Sequence, residues 1–121
     1  MRFAQDNFYK KIFGKIGEKK AVKYLKKLKY KILETNYATR VGEIDVIALD
    51  KNVVVFVEVK TRKNNLYGAP SEAVNTDKIR KYYKVATEYL LLSGLQDIDC
   101  RFDVIEIEDG KINHIIDAFS M

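Results

Sequence analysis

The chain has 121 residues, 47% of them hydrophobic and 32% charged, with a formal net charge of +5. That is the size of one domain, with enough apolar residues for one core. One cysteine, Cys100, excludes an internal disulfide, no apolar run reaches membrane-spanning length, and "MRFAQDNFYKKIFGK" lacks the apolar stretch of a signal peptide, so a reducing cytoplasm is the expected setting.

The charge is unevenly spread. Residues 1–31 carry eleven basic side chains and two acids, a net +9 that leaves −4 for the remainder. A basic segment of this kind points to a polyanionic partner, or to a solvated lysine face.

In chain order, residues 14–29, "GKIGEKKAVKYLKKLK", form an amphipathic helix with Gly17, Ala21, Tyr24, Leu25 and Leu28 on one face. Residues 31–38 and 42–50 read as strands. Residues 53–60, "VVVFVEVK", form the third and most buried strand. Asp50-Lys51-Asn52 is a short turn, so strands two and three make an antiparallel hairpin. "RKNNLYGAP" is a loop by its Asn, Gly and Pro content. A second helix runs from Asn75 or Thr76 to Leu92, with Gly94 as its C-terminal cap. "CRFDVIEIE" and "INHIIDAF" are strands joined by an Asp109-Gly110 turn. The order α-β-β-β-α-β-β predicts one mixed sheet with helices packed on it.

Several charges sit where apolar residues are expected. Glu18 borders the apolar stripe of the first helix. Asp45 alternates with Ile44 and Val46, and shares a face with Glu43 and Ile47. Glu58 and Lys60 share a face with Val54 and Phe56, opposite Val53, Val55, Val57 and Val59. A strand end emerging with a surface ion pair would account for Lys60 more readily than for Glu58. A buried carboxylate needs a partner or a metal.

A two-residue turn at Lys51-Asn52 makes paired residue numbers sum to 103, which sets Asp45 opposite Glu58. Facing carboxylates repel unless a proton or cation lies between them. With Glu18 and Lys60 the set becomes three acids and a lysine. Hard divalent cations take such oxygen ligands together with water and substrate phosphate, and a lysine beside them can act on a water or on a phosphoryl oxygen. That chemistry is phosphodiester hydrolysis.

The segments "GEKKAVKYL", "NYATRVGEIDVIA", "VFVEVKTR", "YGAPSEAV" and "DKIRK" resemble the bacterial YraN-type proteins, from about Phe13 to Phe119. Those proteins in turn look like Holliday junction resolvases of the PD-(D/E)xK nuclease superfamily. The resemblance implies a restriction-endonuclease-like α/β fold. Glu18 matches the helical acid, Asp45 the aspartate of the motif, and Glu58 and Lys60 its E-x-K. It implies Mg²⁺ or Mn²⁺ held by Asp45, Glu58 and the Val59 carbonyl, with Glu18 in support and Lys60 acting on the attacking water. Lys78, in the first turn of the second helix, matches a further polar residue near the site.

Residues 1–12 lie outside the shared pattern and read as an N-terminal extension, leaving 13–121 as one nuclease-like domain. Lys29 stands where the pattern has Gly before the aromatic Tyr30. Glu43 is an alternative metal ligand. Lys15, Lys19, Arg62, Lys63, Lys78, Arg80, Lys81 and Lys84 are candidates for phosphate contact, with a solvated surface as the competing reading. Tyr67 and Gly68 are candidates for backbone contact, with a structural turn as the competing reading. His114 reads as a strand residue with no catalytic partner, and Asp103, Glu106 and Glu108 as a solvated strand face. The expectation is a metal-dependent endonuclease acting on DNA, branched DNA by resemblance, for which a homodimer would suit a two-fold junction. A nucleic-acid-binding module of the same fold without catalysis is the alternative.

Overall fold

The computed structural model describes residues 4–62, 76–95 and 97–119, with side chains from residue 13 onward. Lys63, Tyr67, Gly68, Pro70 and Asn75 lie outside the described residues. The elements are α1 (Ala4–Lys27), β1 (Lys31–Ala38), β2 (Glu43–Asp50), β3 (Val53–Arg62), α2 (Thr76–Leu92), β4 (Asp99–Glu108) and β5 (Lys111–Phe119). This is the order read from the sequence, with α1 beginning at Ala4 rather than Gly14.

The five strands form one sheet in the order β1-β2-β3-β4-β5. All neighbours are antiparallel except β3 and β4, which run parallel. A parallel neighbour requires a long return connection, and α2 lies in it. The result is a restriction-endonuclease-like α/β architecture.

Alternation along β3 divides the core in two. Val54 and Phe56 pack with Tyr82, Val85, Ala86 and Tyr89 of α2, and with Phe102. Val55 and Val57 pack with Ala21 and Leu25 of α1, and with Ile105 and Ile107. Since successive side chains of a strand point to opposite faces, α1 and α2 cover the two sides of the sheet. Rings reinforce the α2 side: Phe102 stacks on Phe56 and Phe119 with centroids 5.4 and 5.0 Å apart.

The β2–β3 ladder follows the expected register from Asp50↔Val53 to Val46↔Val57, and its pairing ends there. In β2 the alternation breaks at the same place. Ile44 and Ile47, three residues apart, both join the α2-side core, whereas Val46 joins the α1 side. Asp45 sits in this break, so Ile47 does not share its side as strict alternation would require.

The two helices end alike. At α2, Gly94 takes φ +68° while Leu95 N–H reaches the Leu90 carbonyl at 2.8 Å. At α1, Lys29 takes φ +71° and Tyr30 N–H reaches the Leu25 carbonyl at 3.0 Å. Both are Schellman closures, which need a left-handed residue just beyond the helix. Lysine in that conformation is strained where glycine is not. Lys29, where the sequence pattern led to the expectation of Gly, fills that left-handed position. Another glycine sets how α1 seats. A Cβ at Gly17 would run into Thr61 Oγ1, so the helix settles onto the end of β3 only because residue 17 lacks a side chain.

The expectation of a solvated face for Asp103 is overturned. Asp103 is fully buried. Its Oδ1 accepts from Arg101 Nε at 3.0 Å and from Asp117 N–H at 2.9 Å, and its Oδ2 lies 2.7 Å from His114 Nε2. Tyr24 Oη lies 3.1 Å from His114 Nδ1. Arg101 also donates to Tyr30 Oη at 2.8 Å and to Asp50 Oδ2 at 3.2 Å. This network ties the end of α1 to β4 and β5. The strand is buried from Phe102 to Ile105, which leaves Asp103 no solvated side to occupy.

Candidate functional site

Where β2 stops pairing with β3, the Asp45 side chain replaces a ladder bond. Its Oδ2 accepts the Val59 N–H at 2.8 Å. The contact with Val59 thus runs through the N–H.

Three carboxylates converge from two elements. Oxygens of Glu18 on α1, and of Glu43 and Asp45 on β2, lie within 4.8 Å of one another. Asn36 on β1 joins them. Its amide nitrogen donates to Glu18 Oε1 at 2.9 Å and to Glu43 Oε1 at 3.2 Å, the orientation its two acceptors demand. Asn36 sits at φ +52° in the middle of a strand, between the pairs Thr35↔Val46 and Tyr37↔Ile44, and therefore beside Asp45. Backbone strain of this kind collects where a side chain must be aimed.

Crowded acids resist ionisation. Burial, and then the charge of Glu58, push Asp45 from its ordinary 3.8 up to about 7, with Glu18 and Glu43 adding to the rise and the Val59 N–H opposing it. Burial and the charge of Glu43 also raise Glu18, against the pull of the Asn36 donor.

Glu58 lies near enough to Asp45 for its charge to be felt there, yet its carboxylate is engaged toward α2. Lys60 Nζ meets Oε1 at 3.1 Å, Lys78 Nζ meets Oε1 at 3.4 Å, and Tyr82 donates its hydroxyl to Oε2. Burial works to lower Lys60, but the bond with Lys78 and the charge of Glu58 leave it raised. Lys78 is lowered, by burial first and by Lys60 next. Burial and the adjacent Glu58 charge drive Tyr82 far upward, so its proton stays on the hydroxyl.

The structure thus brings Glu18, Glu43 and Asp45 into one group, and sets Glu58, Lys60, Lys78 and Tyr82 beside it as a second. Glu43 enters the cluster that the sequence had built from Glu18, Asp45 and Glu58. Asn36 and Tyr82 are the candidate-site residues that sequence reasoning did not single out. The signals available were an asparagine inside a strand, where it is disfavoured, and a tyrosine one turn beyond Lys78. Of the basic candidates, Lys15, Lys19 and Lys81 are exposed on the helices and Arg62 is half-buried at the end of β3. Arg80 is paired with Asp77 at 3.6 Å.

The donor set fits a hard divalent cation: oxygen ligands only, several carboxylates, and repulsion that a cation would relieve.

A profile of the Uncharacterised protein family UPF0102 matches residues 17–107, a span holding both groups of side chains. The chain belongs to the UPF0102 family. Among its relatives, a UPF0102 protein of Alkaliphilus oremlandii is 51% identical over 90% of this chain and 98% of its own length. One of Caldanaerobacter subterraneus subsp. tengcongensis is 48% identical over 91% of this chain and 96% of its own. One of Geobacter sulfurreducens is 40% identical over 100% of this chain and 98% of its own. Membership in UPF0102 agrees with the YraN-type resemblance of the motifs. No helix among the described residues is long and apolar enough to cross a membrane.

Proposed function

We propose that this UPF0102 protein is a metal-dependent phosphodiesterase acting on nucleic acid, DNA foremost. The observation that carries the reading is the convergence of Glu18, Glu43 and Asp45 next to the Glu58–Lys60 pair at the end of β3. Asp45 and Glu18, with Glu43 and Glu58 beside them, would hold Mg²⁺ or Mn²⁺. When bound, such a cation polarises a phosphate and acidifies a water. Asp45 keeps its position by accepting the Val59 N–H. Asn36 fixes the two glutamates. Lys60 presents its ammonium where it can orient the attacking water and stabilise charge on a phosphoryl oxygen. Tyr82 and Lys78 hold Glu58. The exposed lysines of α1, Lys15 and Lys19 among them, supply the approach for a polyanion, with affinity that falls steeply as salt rises. Branched DNA is the substrate class suggested by the resemblance to junction resolvases, and a two-fold dimer would match it.

A second reading has its own observation. Both oxygens of Glu58 are already met by protein donors. A carboxylate so satisfied suits a binding module that keeps the fold without turnover.

Cleavage of labelled four-way junction, flap, single strand, duplex and RNA, with Mg²⁺ or Mn²⁺, separates the two. Turnover of one substrate, lost in both Glu58→Ala and Lys60→Ala, is the expected result. Binding without cleavage, unchanged by either substitution, would leave the binding module.

A further inference from the structure

On the flank of α1 away from the acids, an open-sided cleft of about 120 Å³ lies between the helix, the end of β3 and the β4–β5 turn. Phe13, Ile16 and Ile107 supply apolar walls, and the Gly17–Thr61 contact lies between helix and strand. Two cations, Lys20 and Arg62, and one acid, Asp109, also line it. Phe13 and Ile16 remain 39% and 47% exposed, two large apolar side chains within one helical turn.

We infer that this cleft receives one unpaired nucleobase of the bound strand, with an adjoining phosphate at Lys20 and Arg62. The inference rests on the nucleic-acid reading above and names the substrate feature that it recognises. Size is the first argument. The cleft is small and open-sided. It admits a flat ring or two, and falls well short of the ~300–1,000 Å³ that larger ligands occupy. Chemistry is the second. An exposed aromatic ring beside cations is the combination on which single-stranded bases stack while their backbone is neutralised.

Position is the third argument. Thr61 and Arg62 directly follow Lys60 on β3, and Gly17 precedes Glu18 on α1. At ~3.3 Å per strand residue, Glu58 and Thr61 stand about 10 Å apart along the strand. The acids and the cleft thus lie on two flanks of α1, at the level where the helix meets the end of β3. Bases in an intact duplex are stacked and unavailable to the cleft. The cleft therefore selects flaps and single strands over continuous duplex.

The chain has no tryptophan, so Phe13→Trp installs a sole reporter. Its fluorescence is titrated, in chelator, with a short single-stranded DNA and with an abasic oligomer of equal length. Quenching by the first and not by the second is expected. Phe13→Ala is expected to weaken single-strand binding by roughly fivefold or more, as at other base-stacking aromatics, and to leave abasic binding unchanged. Phe13→Leu, which retains apolar bulk, gives the same comparison should the alanine variant fail to fold. Equal quenching by both oligomers, or equal loss for both, overturns the inference and leaves the phosphodiesterase reading standing. No binding of any nucleic acid at low salt overturns both. Loss of cleavage in Glu58→Ala with the quenching difference intact supports the cleft independently of the chemistry.

Discussion

Two aspartates of the sheet, Asp103 and Asp45, are both withdrawn from solvent, and their surroundings differ in kind. Asp103 meets a guanidinium, an imidazole and a backbone N–H within 3.0 Å. Asp45 meets one backbone N–H, and its other neighbours include three acids. The first is a carboxylate whose burial the fold compensates. The second is tolerated at a cost, because its surroundings favour the protonated form. Compensated burial is what a structural residue needs; uncompensated crowding of acids is what the proposed cation would relieve.

The largest expected effect tests the compensated side. Asp103→Ala leaves the half-buried Arg101 with Asp50 as its remaining carboxylate, and removes the acid partner of His114. Breaking a buried pair in this way costs about 3–5 kcal/mol. Urea denaturation should register that loss, while the folded fraction binds oligonucleotide as before. A cost below about 1 kcal/mol would mean that the network does not hold β4, β5 and α1 together.

The opposite sign is expected at Asp45. Its folded pKa, about 7, lies above its ordinary 3.8. The folded state therefore holds the proton that the unfolded state releases, and this contribution to stability is present at low pH and lost as pH rises through about 7. Glu18, raised as well, acts in the same direction. In chelator, Tm should decline from pH 5 to pH 8, and Asp45→Asn should flatten that decline and match or exceed wild type at pH 8. Mg²⁺ at about tenfold its Kd should return about 1.4 kcal/mol to wild type, and less to the variant. A wild-type profile that is flat without metal would erase the contrast between the two aspartates.

The sequence carried one of these environments better than the other, for a physical reason. Glu58, Lys60 and Asp45 stood out because a period of two assigns faces within a strand, and a two-residue turn fixes register between neighbours. Those are local rules. Asp103 obeys the same alternation, but what makes it buried is α1 above it and His114, Arg101 and Tyr24 around it. Tyr24 lies 90 residues from its His114 partner, and no local pattern joins them. Alternation also failed at one local point. It put Ile47 on the side of Asp45, whereas β2 turns between Ile44 and Ile47 so that Asp45 can take the Val59 N–H.

Asn36 provides the smallest and most selective test of the contrast, because it is the neutral donor that reaches into the crowded acids. Two roles are combined in it: a left-handed backbone at φ +52°, and an amide bridging Glu18 and Glu43. Asn36→Gly removes the amide and accepts the backbone. Asn36→Ala removes the amide and strains the backbone, by about 1–2 kcal/mol. The two variants should differ in stability by that amount and agree in Mg²⁺ affinity, each weakened about tenfold as for other groups that orient metal ligands. Calorimetric titration with Mg²⁺ beside a thermal melt reads both quantities. If the glycine variant kept full Mg²⁺ affinity, the amide would serve the strand alone, and the acids would need no donor to hold them in register for a cation.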